Sequence, residues 1–325
     1  MFDPIILLCR CAWQRRPALA IASVLLGGVQ PATAIQFRLI FDCFEPNQGF
    51  YCIYAEPAIS PNGSCIAFTN GTVSPPWYEW WPSVQFVPVD AGSCGLAYPW
   101  SGLGGWFSSP AWSADGAHLA FTAEDANDAE GGIWTVDVGD LQEPPPSRRR
   151  IAAGPYTDAA WSLDGASIAC VSYDGIYVVA SNGGTPVLTV SDGRSPSWGP
   201  DGNLVFARGG DLWIRRADGS ERQLTNTPYD EGQPAWSAQS GWIAYTSNAS
   251  GNYDIWVISA RGGTPVRVTS EPASEAHPTW AARGDKLAYI ATLIEHDSIW
   301  VATELPDWTV PVEAKSWGQV KALYR

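Results

Sequence analysis

Side chains suited to acid–base or metal chemistry are unevenly supplied in this chain. Histidine occurs three times, as His118, His277 and His296, against 33 aspartates and glutamates. A site built on several imidazoles is therefore disfavoured, and carboxylate chemistry is what the composition leaves open. The segment Asp125-x-Asn127-Asp128-x-Glu130 offers hard oxygen ligands of the kind that hold Ca2+, without the spacing of an EF-hand loop. It reads first as a solvated loop, with Ca2+ as the alternative, so no cofactor is expected. No cysteine pair has C-x-x-C spacing and no G-x-S-x-G elbow occurs, which removes zinc-ribbon and serine-hydrolase readings. The one basic run, Arg148 to Arg150, reads as an outer strand edge guarded by its charge. At a net charge of −14, nucleic acid and anionic membrane surfaces are poor partners.

Residues 1–34 read as an address rather than as fold. Arg10, Arg15 and Arg16 precede an apolar run from Ala18 to Val29, followed by Pro31-Ala-Thr-Ala34. This is the pattern of a signal peptide cleaved after Ala34, and the run is shorter than the ~20 residues that span a bilayer. Arg15-Arg16 also permits a twin-arginine reading. The mature chain is expected to be periplasmic or secreted, monomeric and without a transmembrane span. Loss of three arginines and one aspartate with the leader makes it more acidic still. In an oxidising compartment the remaining cysteines are expected to pair as Cys43–Cys52 and Cys65–Cys94, leaving Cys170 a buried thiol; free thiols throughout are the alternative.

Stepping along the chain, one unit recurs: SPAWSADGAHLAF from Ser109, DAAWSLDGASIAC from Asp158, SPSWGPDGNLVF from Ser195, QPAWSAQSGWIAY from Gln233 and HPTWAARGDKLAY from His277. A degenerate first copy, EPAISPNGSCIAF, begins at Glu56. Starts lie 37–53 residues apart, close to the ~40–50 of a four-stranded propeller blade. Each copy continues into a strand such as GIWTV or DIWVI and then a Gly-rich turn. The predicted fold is all-β: a six-bladed β-propeller of four-stranded antiparallel blades over residues 35–325, with strand A carrying P-x-W. Either Ile35–Asp42 or Thr309–Ala314 could supply the outer strand of the last blade, and the N-terminal segment is favoured.

The P-x-W-S-x-D-G, I-A-F and D-I-W-V segments closely resemble the TolB-like propeller repeat, a relative of WD-type repeats. The resemblance covers the chain from about Glu56 onwards. It implies six blades around a central channel, export, and a protein-interaction platform beside the outer membrane. The additional N-terminal domain of TolB itself has no counterpart here.

Most of the repeat residues are expected to be structural, with Trp and the I-A-F aromatic filling the wedges between blades and Asp115, Asp164 and Asp201 shaping A–B turns. Two groups remain. The residue before the P-x-W proline should begin strand A near the channel mouth, giving a polar ring of Glu56, Ser109, Asp158, Ser195, Gln233 and His277. Glu56 and His277 should be neighbours, as an acid–base pair, a metal-ligand pair or simply a solvated lining. The second group is the long irregular connections, placed on the face opposite the A–B turns. They carry Trp77, Tyr78, Trp80, Trp81, Trp100 and Trp106, either a plug over the channel or a recognition surface for a protein, peptide or glycan. The same face should carry Glu124, Asp230, Glu231, Glu271, Glu275, Glu295 and Asp297. The preferred reading is an exported, non-catalytic protein-interaction platform in the periplasm or cell envelope. The alternative is a carbohydrate-active lyase or hydrolase using Glu56, Asp158 and His277.

Overall fold

Short runs rich in Val, Ile, Trp and Tyr, closed off by Asp-Gly and Gly-Gly turns, favour strands over helices. The computed structural model describes residues 35–42, 44–45, 50–73, 83–90, 106–124, 131–140, 148–293, 296–303 and 305. Among these, six antiparallel sheets of four strands each form a six-bladed β-propeller. Blade 3 shows the plan: strand A Thr157–Trp161, B Ser167–Ser172, C Gly175–Ala180 and D Val187–Ser191, hydrogen-bonded in that order. Blades 2, 4 and 5 repeat it, with their A strands at Trp106–Trp112, Arg194–Trp198 and Glu231–Trp236.

Closure of the ring uses both halves of the chain. Blade 6 takes Ser274–Trp280, Lys286–Leu293 and His296–Thr303 from the late sequence, and Gln36–Asp42 pairs antiparallel on the outside with Gln36 opposite Thr303. The N-terminal segment is thus the outer strand of blade 6. Blade 1 departs from the plan. Its sheet runs Phe44–Glu45, Phe50–Ile59, Cys65–Val73, Ser83–Pro88, so the fourth described strand lies beside the start of strand A rather than outside strand C. Across the closure, Lys286 Nζ donates to Gly63 O at 3.2 Å and to Asp90 Oδ2 at 2.9 Å, while Arg38 reaches Asp90 Oδ1 at 3.4 Å.

The core is distributed between blades, as a propeller requires. Strand B aromatics Phe68, Phe121, Phe206, Tyr245 and Tyr289 are all buried, and in blade 3 Cys170 takes this place. Each packs in a cluster drawing on adjacent blades; Phe206, for example, packs with Val171, Ile176 and Val190 of blade 3. The Cys170 Sγ lies 3.7 Å from Tyr177 O, and burial pushes the thiol up to about 12, which leaves it unreactive as a nucleophile.

The Asp-Gly pairs are turns, as expected. Asp164 Oδ1 accepts the Ser162 hydroxyl at 2.6 Å and the Ala166 N–H at 3.0 Å, and Gly165 takes φ +72°. The serine hydroxyl and then the backbone N–H hold both Asp115 and Asp164 below the ordinary carboxylate range. Arg149 begins the outer strand of blade 2, Arg149–Ala153, and donates to Ser181 O at 3.0 Å on blade 3. Arg148 stacks over Trp134 at 4.8 Å. No disulfide joins two described residues. Cys43 and Cys94 lie outside the described residues, and with them both expected pairings, as do residues 1–34 and the leader cleavage site.

Because the wedge packing carries the fold and the closure charges stand largely in solvent, two variants should differ sharply. Phe206→Ala is expected to cost about 3–5 kcal/mol in urea unfolding. Asp90→Ala, which removes an exposed ion-pair hub, is expected to cost less than about 1 kcal/mol.

Candidate functional site

Every strand A breaks its pairing with strand B at the same place. The register shifts between Ala55 and Ala58, Ser108 and Ala111, Thr157 and Ala160, Arg194 and Ser197, Gly232 and Ala235, and Ala276 and Thr279. This is a β-bulge, and the residue before the P-x-W proline sits in it. That residue is left-handed in all six blades, with φ 53° at Glu56, 53° at Ser109, 50° at Asp158, 48° at Ser195, 48° at Gln233 and 51° at His277. Proline follows in five blades and alanine, Ala159, in the third. Proline suits a bulge because it has no N–H to withdraw from the ladder.

A non-glycine residue in this region costs about 1–2 kcal/mol, eased when a short polar side chain bonds nearby backbone. Four of the six side chains, those of Glu56, Ser109, Asp158 and Gln233, do this across to the next blade. A carboxylate oxygen of Glu56 accepts the Ser109 N–H of the next blade, and Ser109 Oγ accepts the Asp158 N–H at 3.0 Å. Asp158 in turn accepts from the Ser195 backbone N–H and from its hydroxyl, the latter at 3.4 Å. Gln233 Oε1 accepts the His277 N–H at 2.9 Å. The same amide turns its Nε2 to His277 Nε2 at 3.0 Å. With Oε1 committed as acceptor, Gln233 Nε2 is the donor, so His277 Nε2 is the acceptor and the ring carries its proton on Nδ1.

Electrostatics follow from this enclosure. Burial, and then the Glu56 carboxylate, push Asp158 above the usual carboxylate range, opposed by His277 and Ser195. Burial holds His277 below the ordinary imidazole value against the pull of Asp158 and Asp297. Both shifts favour neutral forms, and an imidazole used as a hydrogen-bond acceptor fits that state.

The ring lines a central cavity of about 280 Å3. The cavity runs from the six ring residues past the alternating Pro, Ala and Trp of the A strands to Pro61, Ala114, Leu163, Ala238 and Ala282 in the A–B turns. No Lys or Arg is among its lining residues. The sequence expectation placed the ring at the start of strand A, near a mouth on the opposite face. The ring instead lies within strand A, because the bulge needs paired residues on both sides, and its cavity extends toward the A–B turns. Glu56, Asp158 and His277 do converge on one cavity. Glu56 bonds to Ser109 and His277 to Gln233, and both line the one cavity. The P-x-W indoles join blades as well as fill wedges. Trp112, Trp198 and Trp280 donate to the carbonyls of Ala58, Ala160 and Ala235 one blade back at 2.9, 3.2 and 3.1 Å.

Of the residues expected on the opposite face, Trp77, Tyr78, Trp80, Trp81 and Trp100, the Ca2+ candidate Asp125, Asn127, Asp128 and Glu130, and Glu295 lie outside the described residues. Trp106 begins strand A of blade 2, its backbone opposite Glu124. Two acids expected on this surface are buried instead. Glu231 is 4% and Glu275 1% exposed, each received by threonines six residues upstream or nearer. Thr269 Oγ1 donates to Glu275 at 3.0 Å and Thr227 Oγ1 to Glu231 at 2.9 Å. Beside Glu275 stands buried Asp254, bonded by Ser250 and by Arg267 at 2.8 Å. Burial, with the Asp254 charge adding to it, pushes Glu275 up to about 8, and burial also raises Glu231. They are buried pins for the blade 4–5 and 5–6 connections, Glu275 protonated at neutral pH, and polarity alone could not tell them from surface acids. Among the described residues no three His, Cys, Asp or Glu side chains gather as a metal-holding group.

No protein-family model matches the chain. It is 28% identical over 179 residues to an uncharacterised protein of Agrobacterium fabrum, covering 50% of this chain and 57% of that one. It is 23% identical over 224 residues to an uncharacterised peptidase of Bacillus subtilis, covering 62% and 32%. The chain thus spans less than two thirds of either relative. Among solved structures it is similar to one described as TolB from Agrobacterium tumefaciens, with TM-score 0.54, 23% identity, and 64% and 82% of the two chains covered. In fold, the chain is a TolB-like six-bladed β-propeller. The TolB-like fold is shared with the propeller domain of the trilobed protease from Pyrococcus furiosus, at TM-score 0.53, 10% identity, and 82% and 98% coverage. At such identities the likeness of this TolB-like propeller to its neighbours concerns fold alone.

The buried pin makes stability pH-dependent with a definite sign. Between pH 4.5 and about 8 the folded chain keeps the Glu275 proton that the unfolded chain releases, so stability falls as pH rises through that window and levels off above it. Glu275→Gln is expected to flatten the slope and to raise stability at pH 8 relative to wild type by roughly 2–4 kcal/mol, read from urea midpoints at pH 5 and pH 8.

Proposed function

We propose that this chain is an exported, non-catalytic β-propeller that acts as a protein-interaction platform in the periplasm or cell envelope. The observation that carries the reading is the use made of the ring. Its carboxylates, hydroxyl and amide receive N–H groups of neighbouring blades, and its imidazole accepts from Gln233. A general acid or base needs a lone pair or proton directed at a substrate, and side chains committed to bulge geometry offer little of either. The surroundings suit recognition better: a concave site with indole, proline and alanine walls over a floor holding two carboxylates. Trp77, Tyr78, Trp80, Trp81 and Trp100, together with Trp106 at the start of strand A of blade 2, are proposed to complete the recognition surface. No helix among the described residues is long and apolar enough to cross a membrane.

The alternative, a carbohydrate-active lyase or hydrolase, draws support from the meeting of Glu56, Asp158 and His277 on one cavity. The two readings separate in a single pair of experiments. Crosslinking and pull-down of the mature chain in its own envelope should recover a specific protein, and the triple variant Trp80→Ala, Trp81→Ala, Trp100→Ala should lose that capture with an unchanged melting temperature. Capture by the triple variant at the wild-type level would remove the aromatic loops from the account. Turnover of a glycan panel that is abolished by Asp158→Asn would establish the enzyme instead. Fractionation with N-terminal sequencing should find a chain beginning at Ile35 outside the cytoplasm.

A further inference from the structure

The dipeptide Tyr-Asp occurs three times, at Tyr173-Asp174, Tyr229-Asp230 and Tyr253-Asp254. The fold brings all three to the face away from the A–B turns. Tyr173 is in the B–C turn of blade 3, Tyr229 in the blade 4–5 connection, and Tyr253 ends the B–C turn of blade 5. Each ring faces solvent, Tyr173 at 86%, Tyr229 at 46% and Tyr253 at 36% exposure. They are three of the six large hydrophobic side chains exposed among the described residues, and the three aromatic ones.

The backbone that presents them is tied down. Arg194 donates to the carbonyls of Ser172 at 2.7 Å and Tyr173 at 3.2 Å. The Tyr229 N–H donates to Thr227 Oγ1 at 3.3 Å, whose own proton goes to buried Glu231. The Asp230 N–H donates to Asn248 Oδ1 at 3.0 Å, and Tyr253 Oη donates to Asp230 Oδ2 at 2.6 Å, joining the second and third pairs. The Gly209-Gly210 turn of blade 4 braces this connection. Gly210 takes φ +85°, a conformation that suits glycine, and its O accepts the Glu231 N–H at 2.9 Å. Exposed aromatic rings on a fixed backbone lose little freedom when a partner covers them, which is the usual advantage of tyrosine in a binding surface.

Charge selects the partner. Asp174, Asp192, Asp230 and Glu271 are exposed on this part of the face. The nearby arginines are engaged within the fold: Arg194 by carbonyls, Arg208 by Glu221 at 2.8 Å and Arg267 by Asp254. A phenol ring beside a carboxylate suits a guanidinium, which can stack flat on the ring while donating two hydrogen bonds in its plane; a compact, strongly hydrated ammonium does this less well.

We propose that Tyr173, Tyr229 and Tyr253, with the exposed carboxylates of Asp174 and Asp230, form a docking surface for an arginine-bearing segment of a partner polypeptide; Asp254, buried against Arg267, takes no part. The surface extends the platform reading and lies on the face away from the A–B turns that end the cavity, so occupancy of one leaves the other accessible. Fluorescence anisotropy with labelled (Arg-Gly)6 and (Lys-Gly)6 peptides tests it on the mature chain. The arginine peptide is expected to bind about ten-fold tighter than the lysine peptide. The double variant Tyr173→Ala, Tyr229→Ala should bring the two to the same weak level, while Tyr173→Phe, Tyr229→Phe should keep the preference because the rings remain. Asp158→Asn, which alters the cavity, should leave arginine-peptide binding unchanged. Equal binding of both peptides, absence of binding, or a preference that survives the alanine variant would overturn the proposal. So would loss of binding in Asp158→Asn, which would assign the peptide to the cavity and leave the platform reading standing without this surface.

Discussion

A left-handed bulge, repeated once per blade, is the constraint on which this propeller turns. Six A strands must converge on a narrow axis, and a straight strand pair would carry each inner edge too far along it. The bulge bends strand A and frees an N–H on the channel side. The next residue's proline, where present, removes one donor, and in four blades the side chain from the preceding blade accepts the other. The wedge indoles add a second set of links one turn further along the strand. Neighbouring blades are therefore joined at the axis by polar bonds and outside it by apolar clusters, each doing what the other cannot: direction from the first, most of the free energy from the second.

This division explains why a ring that looks chemically able is best understood as architecture. Glu56, Ser109, Asp158, Ser195, Gln233 and His277 differ in chemistry but share an acceptor atom, which the bulge requires and a β-branched aliphatic residue would lack. A buried acid and a buried imidazole, each shifted toward neutrality, are consistent with groups selected for accepting bonds at low cost in charge burial. On the proposed reading, binding is then left to the Trp- and Pro-walled cavity and to the connections between blades.

Much of the fold was legible because period and turn chemistry are local. P-x-W, Asp-Gly and I-A-F recur at blade spacing, and alternation marked Ile35–Asp42 and Thr309–Ala314 alike as candidate outer strands, the N-terminal one favoured because it locks the ring across the chain ends. The bulge was not legible, since nothing in X-Pro-x-Trp announces a positive φ, although the restriction of X to Glu, Ser, Asp, Gln and His was a signal that an acceptor is needed there. The burial of Glu231 and Glu275 was hidden for a different reason. Thr227 and Thr269 stand only four and six residues upstream, Asp254 is brought to Glu275 by the meeting of blades 5 and 6, and a carboxyl shortly after a threonine looks like any loop acid. The Tyr-Asp recurrence was visible in the sequence, but its meaning depends on three turns from different blades sharing one face.

Amide hydrogen exchange at the ring, followed residue by residue by NMR, tests the central claim most directly. The Ser109, Asp158 and His277 N–H groups should exchange as slowly as those of the B strands, and Ser109→Ala should speed exchange at Asp158 while leaving His277 protected. Exchange at the rate of exposed turns in the wild-type chain, or an Asp158 amide indifferent to Ser109→Ala, would contradict the account.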